Sequence, residues 1–219
     1  MSDGLHSLDD RPLTVAIDGP AASGKGTLAK RLAVLLGVPH LDTGLLYRAV
    51  GRRVLDDGAD PADAEAATAA AVALVPADLG RSDLRGPVAD AAAAKVASVP
   101  GVRAALLEFQ RRFAQSGAVL DGRDIGTVVL PDAQVKLFVT AGLDVRARRR
   151  HQELMARGGN VPDFEMIRAE MAARDEADRT RAAAPLRPAD DAAILDTSSL
   201  DASEALARAE AIIRWKLGV

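Results

Sequence analysis

The stretch LTVAIDGPAASGKGTLAKRLAVLLG, residues 13–37, decides how the chain is organised. Residues 13–18 form a short, mostly aliphatic run that suits a strand buried on both faces. Leu28, Leu32, Leu35 and Leu36 then repeat at helical spacing, and Gly37 stands where that helix is expected to end. Between strand and helix lies GPAASGKG, residues 19–26, which fits the phosphate-loop spacing with Gly19, Gly24 and Lys25 in place. Glycines let successive backbone N–H groups converge on one point, and the helix N-terminus behind them favours negative charge. Lys25 adds a mobile cation for the outer phosphates of a nucleotide. The competing reading is a glycine-rich turn without a ligand; the flanking strand and helix make it the weaker one. One position departs from the pattern. Gly26 occupies the place of the usual Ser/Thr that ligates Mg²⁺ directly, and Thr27 follows it. Magnesium keeps several waters and binds through phosphates, so a carboxylate ending a neighbouring strand, Asp121, is placed to hold it through water.

Outward from this stretch, further short aliphatic runs occur at residues 38–42, 117–121, 135–140 and 192–196. Five such strands alternating with helical patterns predict an α/β chain with a five-stranded parallel sheet. Thr43 and Gly44 lead into a helix holding Tyr47 and Val50. The last helix is expected from Asp201, with Glu204 completing a capping box, and Trp215 is expected to pack it onto the sheet. Two inserts interrupt the alternation. Residues 56–100 are rich in Ala and Asp and read as short helices with a break near 75–87. Residues 143–181 carry Arg146, Arg148, Arg149, Arg150, Arg157, Arg168, Arg174, Arg179 and Arg181. For most of these charges the plain reading is a solvated helix face.

Composition narrows the class. The 219 residues suit one domain with appended lobes over 13–219, preceded by a disordered tail over 1–12. Only 3% of residues are aromatic against 48% apolar, so the core must be aliphatic. A net charge of -3 gives no general attraction to nucleic acid or anionic lipid. The absence of cysteine removes disulfides, thiolate metal sites and a Cys nucleophile. No segment reads as a signal peptide or a membrane span, which makes a cytoplasmic protein the expectation. His6, His40 and His151 show no metal spacing with acids and are not expected to be catalytic.

A GTPase would need an Asn-Lys-x-Asp segment, yet the one asparagine is Asn160. A small kinase instead must grip two ligands and exclude water, which calls for mobile lobes and many arginines. GPAASGKGT at 19–27, LDTGLLYR at 41–48, DGRDIGTVVLPDA at 121–133 and RDEADRTRAAAPL at 174–186 together resemble bacterial cytidylate kinase, from about Thr14 to the C-terminus. The resemblance implies a P-loop kinase three-layer α/β fold, with an acceptor lobe over about 43–105 and an arginine-rich lid over about 145–181. It implies transfer of the ATP γ-phosphate to CMP or dCMP, with Mg²⁺; nothing in the sequence demands more than a monomer, and its charge balance points to no nucleic-acid or membrane partner.

By that resemblance, Gly19, Pro20, Ala21, Ala22, Ser23, Gly24, Lys25, Gly26, Thr27 and Arg149 would hold ATP. Thr43, Tyr47, Arg48, Arg103, Gly122, Arg123, Asp124, Arg174, Asp178 and Arg181 would hold the acceptor, with Lys25, Arg123 and Arg181 at the transferring group. If residues 174–181 are helical, Arg174, Asp178 and Arg181 share one face; the alternative is an ordinary ion-pair ladder. Asp124 accepts from the cytosine amino group and repels a uracil carbonyl, while Arg103 donates to the cytosine acceptors; alternatively Asp124 holds Arg123. Asp18 either caps or braces the phosphate loop or assists Mg²⁺. Two features depart from the family: Ala94 stands where a base-reading serine is expected, and residues 75–87 are too short for the extra strands of many members. These leave room for relaxed acceptor specificity, including UMP; a non-catalytic ATP-binding regulator is the remaining alternative.

Overall fold

The computed structural model describes residues 12–158 and 161–219. The tail expected over 1–12 therefore lies outside the described residues except for Pro12, as do His6 and Asn160. Five strands form one sheet: β1 (Thr14–Asp18), β2 (His40–Asp42), β3 (Ala118–Gly122), β4 (Val135–Thr140) and β5 (Ala193–Asp196). Their order is β2-β3-β1-β4-β5, with β1 parallel to both β3 and β4, and β4 parallel to β5. The chain thus adopts the expected α/β class. Strand ends differ from the sequence expectation by a residue or two: β1 starts at Thr14 and β2 only at His40. Pro39 explains the second, since it has no N–H to give a ladder.

The described residues divide into two compact units, one running up to His40 and again from Ser116 onward, the other over Leu41–Gln115. In the first, helices α1 (Lys25–Leu36) and α8 (Ala202–Leu217) cover one sheet face. Alternate residues Val15, Ile17, Val119, Val135, Leu137 and Val139 meet Leu28, Leu32, Leu36, Ala209, Ile213 and Leu217. Each such buried aliphatic side chain contributes roughly 1.5–3 kcal/mol. Gly37 ends α1 in the left-handed conformation, and Asp201 with Glu204 forms the expected capping box on α8. Trp215 does not pack on the sheet: it is 76% exposed. The buried stripe of α8 runs Ala205, Ala209, Ile213, Leu217, and two residues from Ile213 is half a turn away.

Helices α6 (Leu143–Arg157) and α7 (Phe164–Thr180) also belong to this unit. Ile167 and Met171 pack with Ala147, Leu143, Leu154, Val161 and Phe164, and with Ala21 and Ala22 from the loop after β1.

The second unit is helical: α2 (Thr43–Asp56), α3 (Ala64–Val72), α4 (Pro87–Val96) and α5 (Pro100–Ala114), with a 3₁₀ turn over Pro76–Gly80. Alanine and glycine permit the close packing here. A side chain at Gly51 would stand 2.8 Å from the Ala92 Cβ, and one at Gly101 would overlap Thr68. The connection over 75–87 buries Leu84 and is tied to α2 by charges. Arg81 pairs with Asp56 (2.6 Å) and Asp83 (2.8 Å), and Arg53 with Asp78 (2.8 Å). Among the described residues of this unit after Asp42 there is no strand, in keeping with the shortness of that segment.

Candidate active site

β1 hands over to the phosphate loop at Asp18. Gly19 must be glycine, because its Cα lies against the Val139 carbonyl, where a Cβ would overlap it, and φ is +152°. Ala22 and Gly24 also take positive φ, +56° and +88°. Gly24 starts α1 without a side-chain cap, so the helix N-terminus, whose backbone N–H groups favour an anion, opens at the loop. Lys25 Nζ folds back to donate to the Pro20 carbonyl at 3.2 Å, and Ser23 Oγ is buried without a hydrogen-bond partner among the described residues. Arg149, on α6, lies beside Gly24, whose Cβ would stand 4.0 Å from Nη1. Its fork donates to Thr197 Oγ1 (3.0 Å) and to the Thr197 carbonyl (2.6 Å), in the loop after β5. Thr197 Oγ1 in turn lies 2.9 Å from the Ser23 carbonyl oxygen. Helix α6, the loop after β5 and the phosphate loop are thereby tied together.

The end of β3 carries Asp121 and Gly122, followed by Arg123, Asp124 and a π-helical turn, Ile125–Val129. Asp18 does not brace the phosphate loop: its two oxygens accept from the N–H groups of Ile125 and Gly126, each at 2.8 Å. Burial pushes its carboxyl up to about 6; the two N–H donors act against that shift, and the nearby Asp124 charge adds to it. Asp121 Oδ1 lies 2.6 Å from His40 Nε2, and its Oδ2 faces Gly26, 3.7 Å from where a Cβ would stand.

Neither Arg123 nor Arg181 is a plainly solvated charge. Arg123 Nε donates to Asp178 Oδ2 at 2.9 Å, so Asp178 bridges α7 to the end of β3. Arg181 caps the end of α7 with φ of -59° and its N–H bonded to the Ala177 carbonyl, so it keeps the helical phase expected for it with Arg174 and Asp178, and its ψ of 138° turns only the chain beyond it. Its Nε donates to the Ala184 carbonyl at 2.6 Å, and Nη2 lies 4.0 Å from Asp124 Oδ2. Nor is Arg146 a solvated surface charge. It is 5% exposed, donates to the Ala141 carbonyl at 2.8 Å, and holds Asp175 with both Nη atoms at 3.2 and 2.7 Å.

In the second unit, Thr43 is buried as the first residue of α2. Arg48 Nε donates to Asp90 of α4 at 2.9 Å, and Arg103 Nη1 lies 3.4 Å from the Tyr47 hydroxyl. Ala94 is exposed on α4. Asp90 and His40 are the partners that sequence reasoning missed, because nothing in the spacing of 42 or 81 residues announces either pair.

A sequence model described as "Cytidylate kinase" matches residues 15–214. The chain belongs to the cytidylate kinase family. It is 65% identical over 204 residues to a protein of Acidiphilium cryptum (strain JF-5) named Cytidylate kinase, covering 93% of this chain and 96% of the relative. A protein of the same name from Granulibacter bethesdensis is 62% identical, with 93% and 98% covered. The fold is also that of a solved, uncharacterized protein from Eubacterium ventriosum, with TM-score 0.55 at 14% identity over 92% of this chain and 98% of the other.

The family is ATP-dependent and implies Mg²⁺. Among the described residues no group of three His, Cys, Asp or Glu side chains could hold a metal by itself. A lone carboxylate, Asp121, facing a side-chain-free position at Gly26 fits a hard cation held through water and phosphate oxygens. No helix among the described residues is long and apolar enough to cross a membrane.

Proposed function

We propose that this chain transfers the γ-phosphate of ATP to CMP or dCMP, giving CDP or dCDP and ADP. The observation that carries it is near-complete coverage at 62–65% identity by relatives named for that activity. The nucleophile is an acceptor phosphate oxygen already ionised at neutral pH, so the protein's work is positioning and charge neutralisation. In this reading residues 19–27 wrap the triphosphate, with Lys25 reaching its outer phosphates and Arg149 beside the loop. Bound Mg²⁺ supplies further neutralisation of the phosphates, and Asp121 holds it through water.

On the acceptor side, Arg48, Arg123 and Arg181 present guanidinium forks, which match phosphate oxygens bidentately and keep their charge. Asp178 and Arg174 address the sugar. Asp124 accepts from the cytosine amino group, Arg103 donates to the ring acceptors, and Thr43, Tyr47 and Gly122 are further acceptor-binding residues. Asp178 supports Arg123 through their 2.9 Å contact. Residues 43–105 serve as the acceptor lobe and residues 145–181 as the lid of a single kinase domain over 13–219. The protein works as a monomer in the cytoplasm, on free nucleotides.

The test is ADP release with ATP and Mg²⁺ against CMP, dCMP, UMP and AMP. Turnover of CMP and dCMP with little of UMP is expected, and Lys25→Ala should abolish it. Equal CMP and UMP turnover would overturn the role of Asp124. Undiminished CDP formation by Lys25→Ala would overturn the phosphate-loop assignment.

A further inference from the structure

Phosphate loops usually follow the lysine with a hydroxyl that ligates the metal directly; here that position is Gly26. Whatever protein contact the metal's waters receive at this end of the sheet must come from a neighbour. The carboxylate that faces Gly26 is Asp121, through Oδ2. A carboxylate on a freely turning Cα–Cβ bond holds waters poorly, because its oxygens sample several directions.

Asp121 does not turn freely. His40 Nε2 lies 2.6 Å from Oδ1, with the histidine side chain 14% and the aspartate side chain 4% exposed. A carboxylate oxygen accepts, so the imidazole carries its proton on Nε2 and donates. The histidine is itself pinned: it opens β2 beside β3, and the preceding Pro39 carbonyl accepts from Val119 N–H at 2.9 Å, two residues before Asp121. One oxygen is thereby held from the β2 side while the other points at the phosphate loop.

We propose that His40 is a positioning residue for the metal-bearing nucleotide. It orients Asp121 so that Oδ2 receives the water shell of the Mg²⁺ carried by ATP, standing in for the hydroxyl that Gly26 lacks. This rests on the reading of Asp121 as the water-mediated metal holder. It assigns a task to a residue whose sequence context gives no sign of one.

The test measures ATP binding by calorimetry without acceptor, once with Mg²⁺ and once with EDTA. The quantity compared is the gain in ATP affinity that Mg²⁺ confers. Four proteins are needed: the parent, His40→Gln, His40→Met and Asp121→Asn. Gln and Met have equal reach, but only Gln offers an N–H donor at that end. His40→Met is expected to lose about tenfold of the Mg²⁺-conferred gain, the lower end of the usual effect of removing a ligand-orienting partner. Its ATP affinity in EDTA should stay at the parent value, and His40→Gln should keep most of the gain. If Gln and Met behave alike while Asp121→Asn loses the gain, the proposal is wrong and the reading of Asp121 stands. If Asp121→Asn keeps the gain, that reading falls and takes the proposal with it. If neither His40 variant folds, His40 serves the fold and not the metal, which also overturns it.

Discussion

Replacing Asp18 by asparagine isolates one buried charge. The Asp18 side chain is enclosed where β1 meets the phosphate loop, at 4% exposure, and its carboxyl is pushed up to about 6 from 3.8. Burial is the main cause: it disfavours the ionised form more than the Ile125 and Gly126 N–H donors favour it. The unfolded chain ionises near pH 4 and the folded chain near pH 6, so the folded state binds the proton more tightly. Its contribution to stability is therefore fully present below about pH 4 and is lost as pH rises through about 6. The gap between those two values corresponds to about 3 kcal/mol lost across that window. An asparagine side chain resembles the protonated carboxyl in shape and cannot ionise. It keeps one acceptor and sets an amide N–H₂ against the second backbone donor, a constant loss of about 1–3 kcal/mol. Urea denaturation of the parent and Asp18→Asn at about pH 4, 5, 6 and 7 separates the two effects. The constant loss offsets the curves, whereas the titration makes the difference drift by about 3 kcal/mol in favour of the variant across that range. Parallel curves would refute the assignment of that titration to Asp18.

Arg146→Met should destabilise by about 3–5 kcal/mol, because it leaves Asp175 and the Ala141 carbonyl without their enclosed partner; chemical denaturation reads this directly. Gly51→Val should cost about 1–3 kcal/mol or more by forcing α2 off α4, where Ala92 stands 2.8 Å from the new Cβ, and should lower the melting temperature. Trp215→Ser should leave stability within about 0.5 kcal/mol of the parent, as expected for a side chain outside the core.

Local features are legible in the sequence because they depend on neighbours along the chain. The apolar runs form strands, Gly37 ends its helix, Asp201 and Glu204 cap theirs, and the strand–loop–helix around Lys25 forms as its spacing requires. The misreadings concern long-range partners. Trp215 reads as a core residue by its size, yet helical phase sets its direction. Arg146 is lost among solvated arginines although Asp175 neutralises it. His40 and Asp121 lie 81 positions apart and meet through the pairing of β2 with β3. Such a contact follows from strand order, which a residue-by-residue reading does not supply.

The methyl groups of Ala21 and Ala22 pack among Ile167 and Met171 of α7 and their neighbours. Opening that helix would expose the underside of the phosphate loop, so the two should unfold sub-globally as one cooperative unit. Amide protons in residues 21–24 and in the central turns of α7 would then exchange with solvent at a common free energy, and a nucleotide bound to the loop would slow both by the same factor. Nucleotide on the loop would thus be registered as protection along a helix that carries Arg174 and Asp178.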